Sequence, residues 1–231
     1  MRLLLKLSGE ALAGDKKKGF DDPTIREVAG QVKRLVDEGC ACGIVIGGGN
    51  FWRGRQNDTV DRVKADQIGM LATVMNAIYV SEMFRGEGMK TAVLTPFACS
   101  SFTELFSKDL ANTYLAEGRV VFFAGGTGHP YFSTDTGAVL RAVEMEADVI
   151  LLAKAVDGIY DSDPAVNPQA VRYDTISLDE IIEKRLQALD LAASILAKEN
   201  RMPLRVFALQ ERESIIRAAH GEFNGTTVTI D

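Results

Sequence analysis

The sequence predicts an α/β fold, a three-layer αβα sandwich around a mainly parallel central sheet. Two observations carry that expectation. Short apolar runs of strand length alternate with longer segments whose apolar residues recur at helical spacing, and three of those runs end directly in glycine-rich turns. Strand–helix alternation of this kind builds a parallel sheet covered on both faces. In such open sheets, ligands bind beyond the carboxyl ends of the strands.

The elements follow in order. Residues 3–7 read as a buried strand, and 14–19 as a polar turn. Asp22-Pro23 reads as an N-cap followed by proline at the first helical position. Ile25, Val28, Val32, Leu35 and Val36 lie at helical spacing until Gly39 stops that helix. Residues 43–46 form a second strand that runs into Gly47-Gly48-Gly49. A long helix without proline covers 61–84. Residues 91–94 and 120–124 are strands, with a helical stretch over 103–117 between them. Residues 134–147 read as a helix and 149–153 as a strand, after which Asp157-Gly158 signals a turn, read as a hairpin. Ser177-Leu178-Asp179-Glu180 is a capping box that opens a helix. A further helix is expected over 189–200, and strands over 204–209 and 226–230 with a helix between them. The whole of 1–231 reads as a single domain, with an N-terminal lobe over about 1–150 and a C-terminal lobe over about 151–231.

Composition narrows the function. The chain has 231 residues, 46% of them hydrophobic, enough for one sizeable core or two fused lobes. A net charge of −6 argues against general nucleic-acid binding, which needs a basic face, but not against small anionic ligands met by local cations. Cys40, Cys42 and Cys99 lack zinc-site spacing and read as small apolar residues of a reducing compartment. No signal peptide or membrane-length apolar run is visible, so the expected location is the cytoplasm, without a membrane partner.

Lys6 stands inside the apolar run Leu3-Leu4-Leu5-Lys6-Leu7-Ser8-Gly9. Burying a lysine is costly unless it meets an anion, and Ser8-Gly9 offers backbone N–H groups beside it; an edge lysine reaching water is the other reading. Gly47-Gly48-Gly49-Asn50-Phe51-Trp52-Arg53-Gly54 has the form of a phosphate loop, its glycines bringing backbone amides to an anion and Arg53 clamping it; a plain tight turn is the alternative. Gly125-Gly126-Thr127-Gly128-His129-Pro130-Tyr131-Phe132-Ser133-Thr134-Asp135 again follows an apolar strand. Two such loops suggest two anionic ligands, a donor and an acceptor. They repel each other, and Lys6, Arg53 and Mg2+ are the natural neutralisers. Asp135 and Asp190 either approach that centre or cap helices. With His129 and His220 the only histidines, general-base chemistry is poorly supplied. A phosphate acceptor needs none, because its second pKa is about 6. No Walker A or protein-kinase motif occurs.

These motifs, with Lys6-Leu7-Ser8-Gly9-Glu10-Ala11-Leu12, Gly69-Met70-Leu71-Ala72-Thr73 and Val156-Asp157-Gly158-Ile159-Tyr160-Asp161-Ser162-Asp163-Pro164, resemble the bacterial uridylate kinase family of the amino-acid kinase superfamily along nearly the whole chain. The resemblance implies transfer of the γ-phosphate of ATP to UMP with Mg2+, in pyrimidine nucleotide biosynthesis. It implies ATP contacts at Lys6, Leu7, Ser8, Gly9, Gly49, Arg53, Lys154, Tyr160 and Asp163. It implies UMP contacts at Gly48, Asp66, Thr127, Gly128, His129, Pro130, Tyr131, Phe132, Ser133 and Thr134, and a catalytic centre of Lys6, Arg53, Asp135 and Asp190. It further implies a homohexamer, activated by GTP and inhibited by UTP. The chain departs from the family at His129, at Gly137, and by being one residue shorter than many relatives between Lys154 and Val156-Asp157-Gly158. Two rivals remain, a relative that makes acyl phosphates and a nucleotide-binding regulator without catalysis. Asp66 and the loop from Thr127 to Thr134 suit a nucleotide acceptor better than the first.

Overall fold

The computed structural model describes residues 1–54, 59–186 and 188–230. The elements run β1 (Arg2–Leu7), α1 (Gly9–Leu12), α2 (Asp22–Asp37), β2 (Ala41–Ile46), α3 (Arg62–Gly86), β3 (Thr91–Thr95), β4 (Glu104–Leu105), α4 (Lys108–Ala116), β5 (Val120–Phe123), α5 (Thr134–Glu144) and β6 (Val149–Lys154). They continue through β7 (Ile159–Tyr160), β8 (Arg172–Tyr173), β9 (Thr175–Ser177), α6 (Leu178–Glu183), α7 (Leu191–Glu199), β10 (Leu204–Ala208), α8 (Ser214–His220) and β11 (Gly225–Thr229).

One nine-stranded sheet, in the order β4-β3-β5-β2-β1-β6-β10-β11-β9, forms the middle layer. Every pairing in it is parallel except β10 with β11. The chain builds outward from β1 in one direction through β2, then in the other through β6. The carboxyl ends of β1 and β6 therefore flank a topological switch point, where open sheets of this kind leave a crevice.

Strand periodicity decides which side chains meet there. Leu3, Leu5 and Leu7 enter the core layer packed by α2, α3 and α8. Leu4 faces the opposite layer, packed by α4, α5, α6 and α7. Each fully buried leucine is worth about 1.5–3 kcal/mol over leaving it exposed. A one-residue slip of β1 would turn Lys6 into the first core, so the leucines fix its direction. Lys6 shares the face of Leu4, toward α5. Ile150 and Leu152 of β6 lie in that same layer, which places Lys154 on the Lys6 side two residues further along its strand.

Several local expectations shift. The cap of α2 is Asp21, which accepts from the Thr24 backbone N–H at 3.2 Å and the Thr24 hydroxyl at 2.8 Å, so Pro23 falls at the second helical position. The helix expected over 103–117 is shorter, because β4 takes its first part as an edge strand and Ser107 caps α4. Asp157-Gly158 makes a turn but no tight hairpin; the antiparallel pair is β7 with the distant β8. The Ser177 capping box forms as expected, its hydroxyl accepting from the Glu180 N–H at 3.1 Å. No helix among the described residues is long and apolar enough to cross a membrane.

Candidate active site

The carboxyl end of β1 delivers Lys6 to the first turn of α5, where its Nζ lies 2.8 Å from Asp135 Oδ1. Both side chains are largely enclosed, at 12% and 20% exposure. The pair separates two clefts. A cavity of about 320 Å³ is lined by Lys6, Gly48, Gly49, Asp66, Thr127, His129, Phe132, Ser133, Thr134 and Asp135. A second cavity, of about 800 Å³, shares Ser133 and Asp135 with it and reaches Asp190. A third, of about 390 Å³, is lined by Lys154, Tyr160 and Asp163 and shares Arg185, Leu186 and Ala188 with the second.

The glycine turns are held by close backbone approach. A Cβ on Gly9 would sit 2.3 Å from the Gly47 carbonyl oxygen and 2.4 Å from Asn50 Oδ1, so only glycine lets the β1 and β2 turns meet. Asn76 of α3 donates to the Gly47 carbonyl at 2.7 Å, and Asn50 and Asn76 bond each other's amides. Gly125 adopts a φ of 78° and donates its N–H to Thr73 Oγ1 at 2.8 Å, which ties the third turn to α3. Gly137 packs on that turn, where a Cβ would stand 3.2 Å from Gly126 Cα. Arg141, 5% exposed, adds a bond to the Gly126 carbonyl and stacks 3.9 Å over Phe106.

Several of the expected residues have protein partners of their own. Leu7 is buried in the core, and its carbonyl accepts from the Gly47 N–H at 2.9 Å, so its side chain faces no cleft. Ser8 caps α1, its hydroxyl accepting from the Ala11 N–H. Arg53 lines none of the three cavities; its guanidinium pairs with Glu10, Nε at 2.6 Å from Oε1. Glu10 has no counterpart in the sequence reading, although it lies inside the quoted motif. Asp190 caps α7 at Ala193 N–H, 3.0 Å away. Its carboxylate also accepts from the hydroxyls of Thr136, at 3.0 Å, and Ser133. That makes Asp190 a brace between α5 and α7.

Gly128, Pro130 and Tyr131 belong to the loop around the first cavity without lining it. Thr127 and His129 are joined by reciprocal bonds, the His129 N–H donating to Thr127 Oγ1 at 3.2 Å and that hydroxyl to the His129 carbonyl at 3.3 Å. At the third cavity, Tyr160 donates its hydroxyl to Asp157 Oδ1 at 2.7 Å and Arg172 reaches Asp157 Oδ2 at 2.6 Å. Burial pushes the Asp157 carboxyl up, but these two hydrogen bonds hold it below its ordinary value. Lys154 donates to the Ala188 carbonyl. Burial pushes its ammonium below the ordinary lysine value, Asp135 opposing that shift and Lys6 adding to it.

Among the described residues no group of three or more histidine, cysteine or acidic side chains converges as a metal cage. Asp135, a single carboxylate facing both clefts, fits a divalent ion carried mainly by phosphate oxygens and water.

The amino acid kinase family profile matches residues 1–208. A uridylate kinase of Rickettsia bellii (strain RML369-C) is 46% identical over 229 residues, covering 98% of this chain and 96% of that one. The crystal structure of UMP kinase from Bacillus anthracis superimposes with a TM-score of 0.95 at 35% identity, over 100% of this chain and 96% of that chain. UMP kinase from Ureaplasma parvum gives 0.93 at 32% identity, over 99% and 98%.

Proposed function

The chain belongs to the amino acid kinase family and phosphorylates UMP with ATP, and we propose that its clefts divide that reaction at the Lys6–Asp135 pair. The first cavity, within the N-terminal lobe of about 1–150, takes UMP. The third, at Lys154, Tyr160 and Asp163 in the C-terminal lobe of about 151–231, takes the adenosine of ATP, and the second carries its phosphates inward. The observation that supports this most is that Asp135 and Ser133 belong to both the first and second cavities, with Lys6 beside them.

Geometry then does what the chemistry asks. Phosphoryl transfer needs alignment and charge stabilisation more than proton removal, because the UMP phosphate is already mostly dianionic. Lys6, on a rigid central strand, meets the transferring group, and Asp135 holds its ammonium in place. The first turn of α5 presents its positive dipole end toward the acceptor phosphate. Gly48 and Gly49 bring backbone to the same space, while Thr127, His129, Phe132, Ser133 and Thr134 enclose the uridine. Asp66 takes the ribose. Arg53 exchanges Glu10 for a phosphate of ATP. Asp135 would hold a Mg2+ ion that enters with ATP, and the chemistry that ion would supply is charge neutralisation at the phosphates.

A homohexamer, GTP activation, UTP inhibition and a cytoplasmic location belong to the same reading. An exposed apolar stripe on α3 supports self-association: Ile68, Leu71, Met75 and Ile78 are 39%, 54%, 48% and 38% exposed.

A coupled assay of the full chain with ATP and Mg2+ across UMP, CMP, dUMP and AMP tests the assignment; UMP is expected to lead. Turnover of a carboxylate or carbamate without turnover of UMP would overturn it. Lys6→Ala is expected to lose most turnover while still binding UMP by calorimetry. A non-catalytic nucleotide sensor would have no turnover to lose.

A further inference from the structure

We propose that Arg62, in the first turn of α3, is a positioning residue that gives the acceptor cleft its preference for ribose over deoxyribose. The inference rests on the reading above, in which Asp66 takes the ribose.

Two donors converge on one carboxylate oxygen. Arg62 Nε donates to Asp66 Oδ2 at 2.8 Å, and the backbone N–H of Tyr131 donates to the same oxygen at 2.8 Å. The Arg62 guanidinium also lies 5.2 Å from the centroid of the Tyr131 ring, within cation–π range. An ordinary i, i+4 pair on a helix surface contributes little. This one differs because the Asp66 side chain is only 13% exposed and lines the acceptor cavity, and because its partner loop comes from far along the chain.

Tyr131 shows what the contact holds. Its φ is 72°, in the left-handed region that a non-glycine residue enters only against a steric penalty. The bond to Asp66 and the guanidinium against its ring offset that penalty and pin the acceptor loop to α3. Oδ2 is thereby filled by two protein donors. Among the described residues no protein donor reaches Oδ1. The carboxylate is held in one orientation, with one oxygen left to accept from a sugar hydroxyl. A sugar lacking that hydroxyl leaves the oxygen unsatisfied, which is the form of discrimination a fixed polar site makes well. Without Arg62, Asp66 turns and solvates, and the missing hydroxyl matters less.

The test is steady-state kinetics of the full chain, native and Arg62→Ala, with UMP or dUMP varied at saturating ATP. Arg62→Ala is expected to raise KM for UMP about tenfold and leave KM for ATP within about twofold. The ratio of kcat/KM for UMP over dUMP is expected to fall by about fivefold or more. Arg62→Lys keeps the charge without the planar face and is expected to recover part of the ratio. Should Arg62→Ala not fold, Arg62→Gln carries the same comparison. An unchanged UMP/dUMP ratio, or a parallel rise of both KM values with a fall in Tm, overturns the proposal. A native chain that does not phosphorylate UMP instead overturns the reading on which it rests.

Discussion

At the end of β6, Lys154 carries its charge into an enclosed space beside Asp135, Lys6 and the Ala188 carbonyl. While the ammonium is charged both folded and unfolded, its desolvation costs stability. Its folded pKa lies below the ordinary 10.5, so that cost disappears as pH rises through the folded value toward 10.5. Lys154→Met is therefore expected to raise Tm near neutral pH, by an advantage that shrinks as pH approaches 10.5, and to slow turnover by roughly tenfold or more through loss of a donor-side cation. An advantage constant between about pH 7 and pH 10 would contradict this account. Asp190 has a different signature. Its carboxylate satisfies three donors across α5 and α7, so Asp190→Ala is expected to lower kcat and also destabilise the fold by about 1–3 kcal/mol in denaturant unfolding. Loss of kcat with no loss of stability would return Asp190 to a purely catalytic role. Lys6 and Asp135 were legible in the sequence because each is a charged residue in a patterned setting, and Asp66 only through the family resemblance. Glu10, Asn76 and Arg62 were not, because each acts on a partner that only the tertiary fold brings near.

Elements were legible where a local cause sufficed. The Ser177 capping box and the long proline-free α3 appear as read. The short strands β4, β8 and β9 were missed because each is two or three residues long, below the span in which alternation can be seen. Their place is set by the strands they pair with, β3 for β4, β11 for β9, and β7 for β8 in a separate two-stranded sheet. The strand-end turns lie between these cases. Their glycines were legible as places for a phosphate, but the stronger constraint at Gly9 is the backbone it touches. Gly9→Ala must push the β1 turn off the Gly47 carbonyl, only 2.3 Å from the added carbon. That displacement moves Ser8 and the start of α1 relative to Gly48 and Gly49. Activity is expected to fall by about 100-fold or more while circular dichroism stays near native, since misplacement of about 1 Å at an active site is enough for that loss. Near-native turnover by Gly9→Ala would mean that the two turns need not meet.

On the scale of the molecule, α3 joins the site to the outer surface. One side packs Val74, Ala77, Val80 and Phe84 into the core, and Asn76 and Thr73 hold two of the glycine turns. The opposite side exposes Ile68, Leu71, Met75 and Ile78 at the 3-4-3 spacing of a helix-pairing seam. Apolar surface of this regularity suits a contact between copies of the chain. The charges around it suit a second copy running antiparallel across a two-fold axis near Thr73. In that arrangement Ile68 meets Ile78 and Leu71 meets Met75. Lys64 faces Glu82 and Asp61 faces Arg85, so each of these four pairs is apolar–apolar or opposite in charge. A parallel pairing would set like charges together. The helix that carries Asp66 and Arg62 would thus be shared between subunits, and breaking the contact should reach the acceptor cleft. Leu71→Asp combined with Met75→Asp is expected to give smaller particles by light scattering, at the same concentration as the native chain. KM for UMP should rise more than KM for ATP. Particles of native size from the double variant would remove α3 from the assembly and leave its apolar stripe without a partner of this kind.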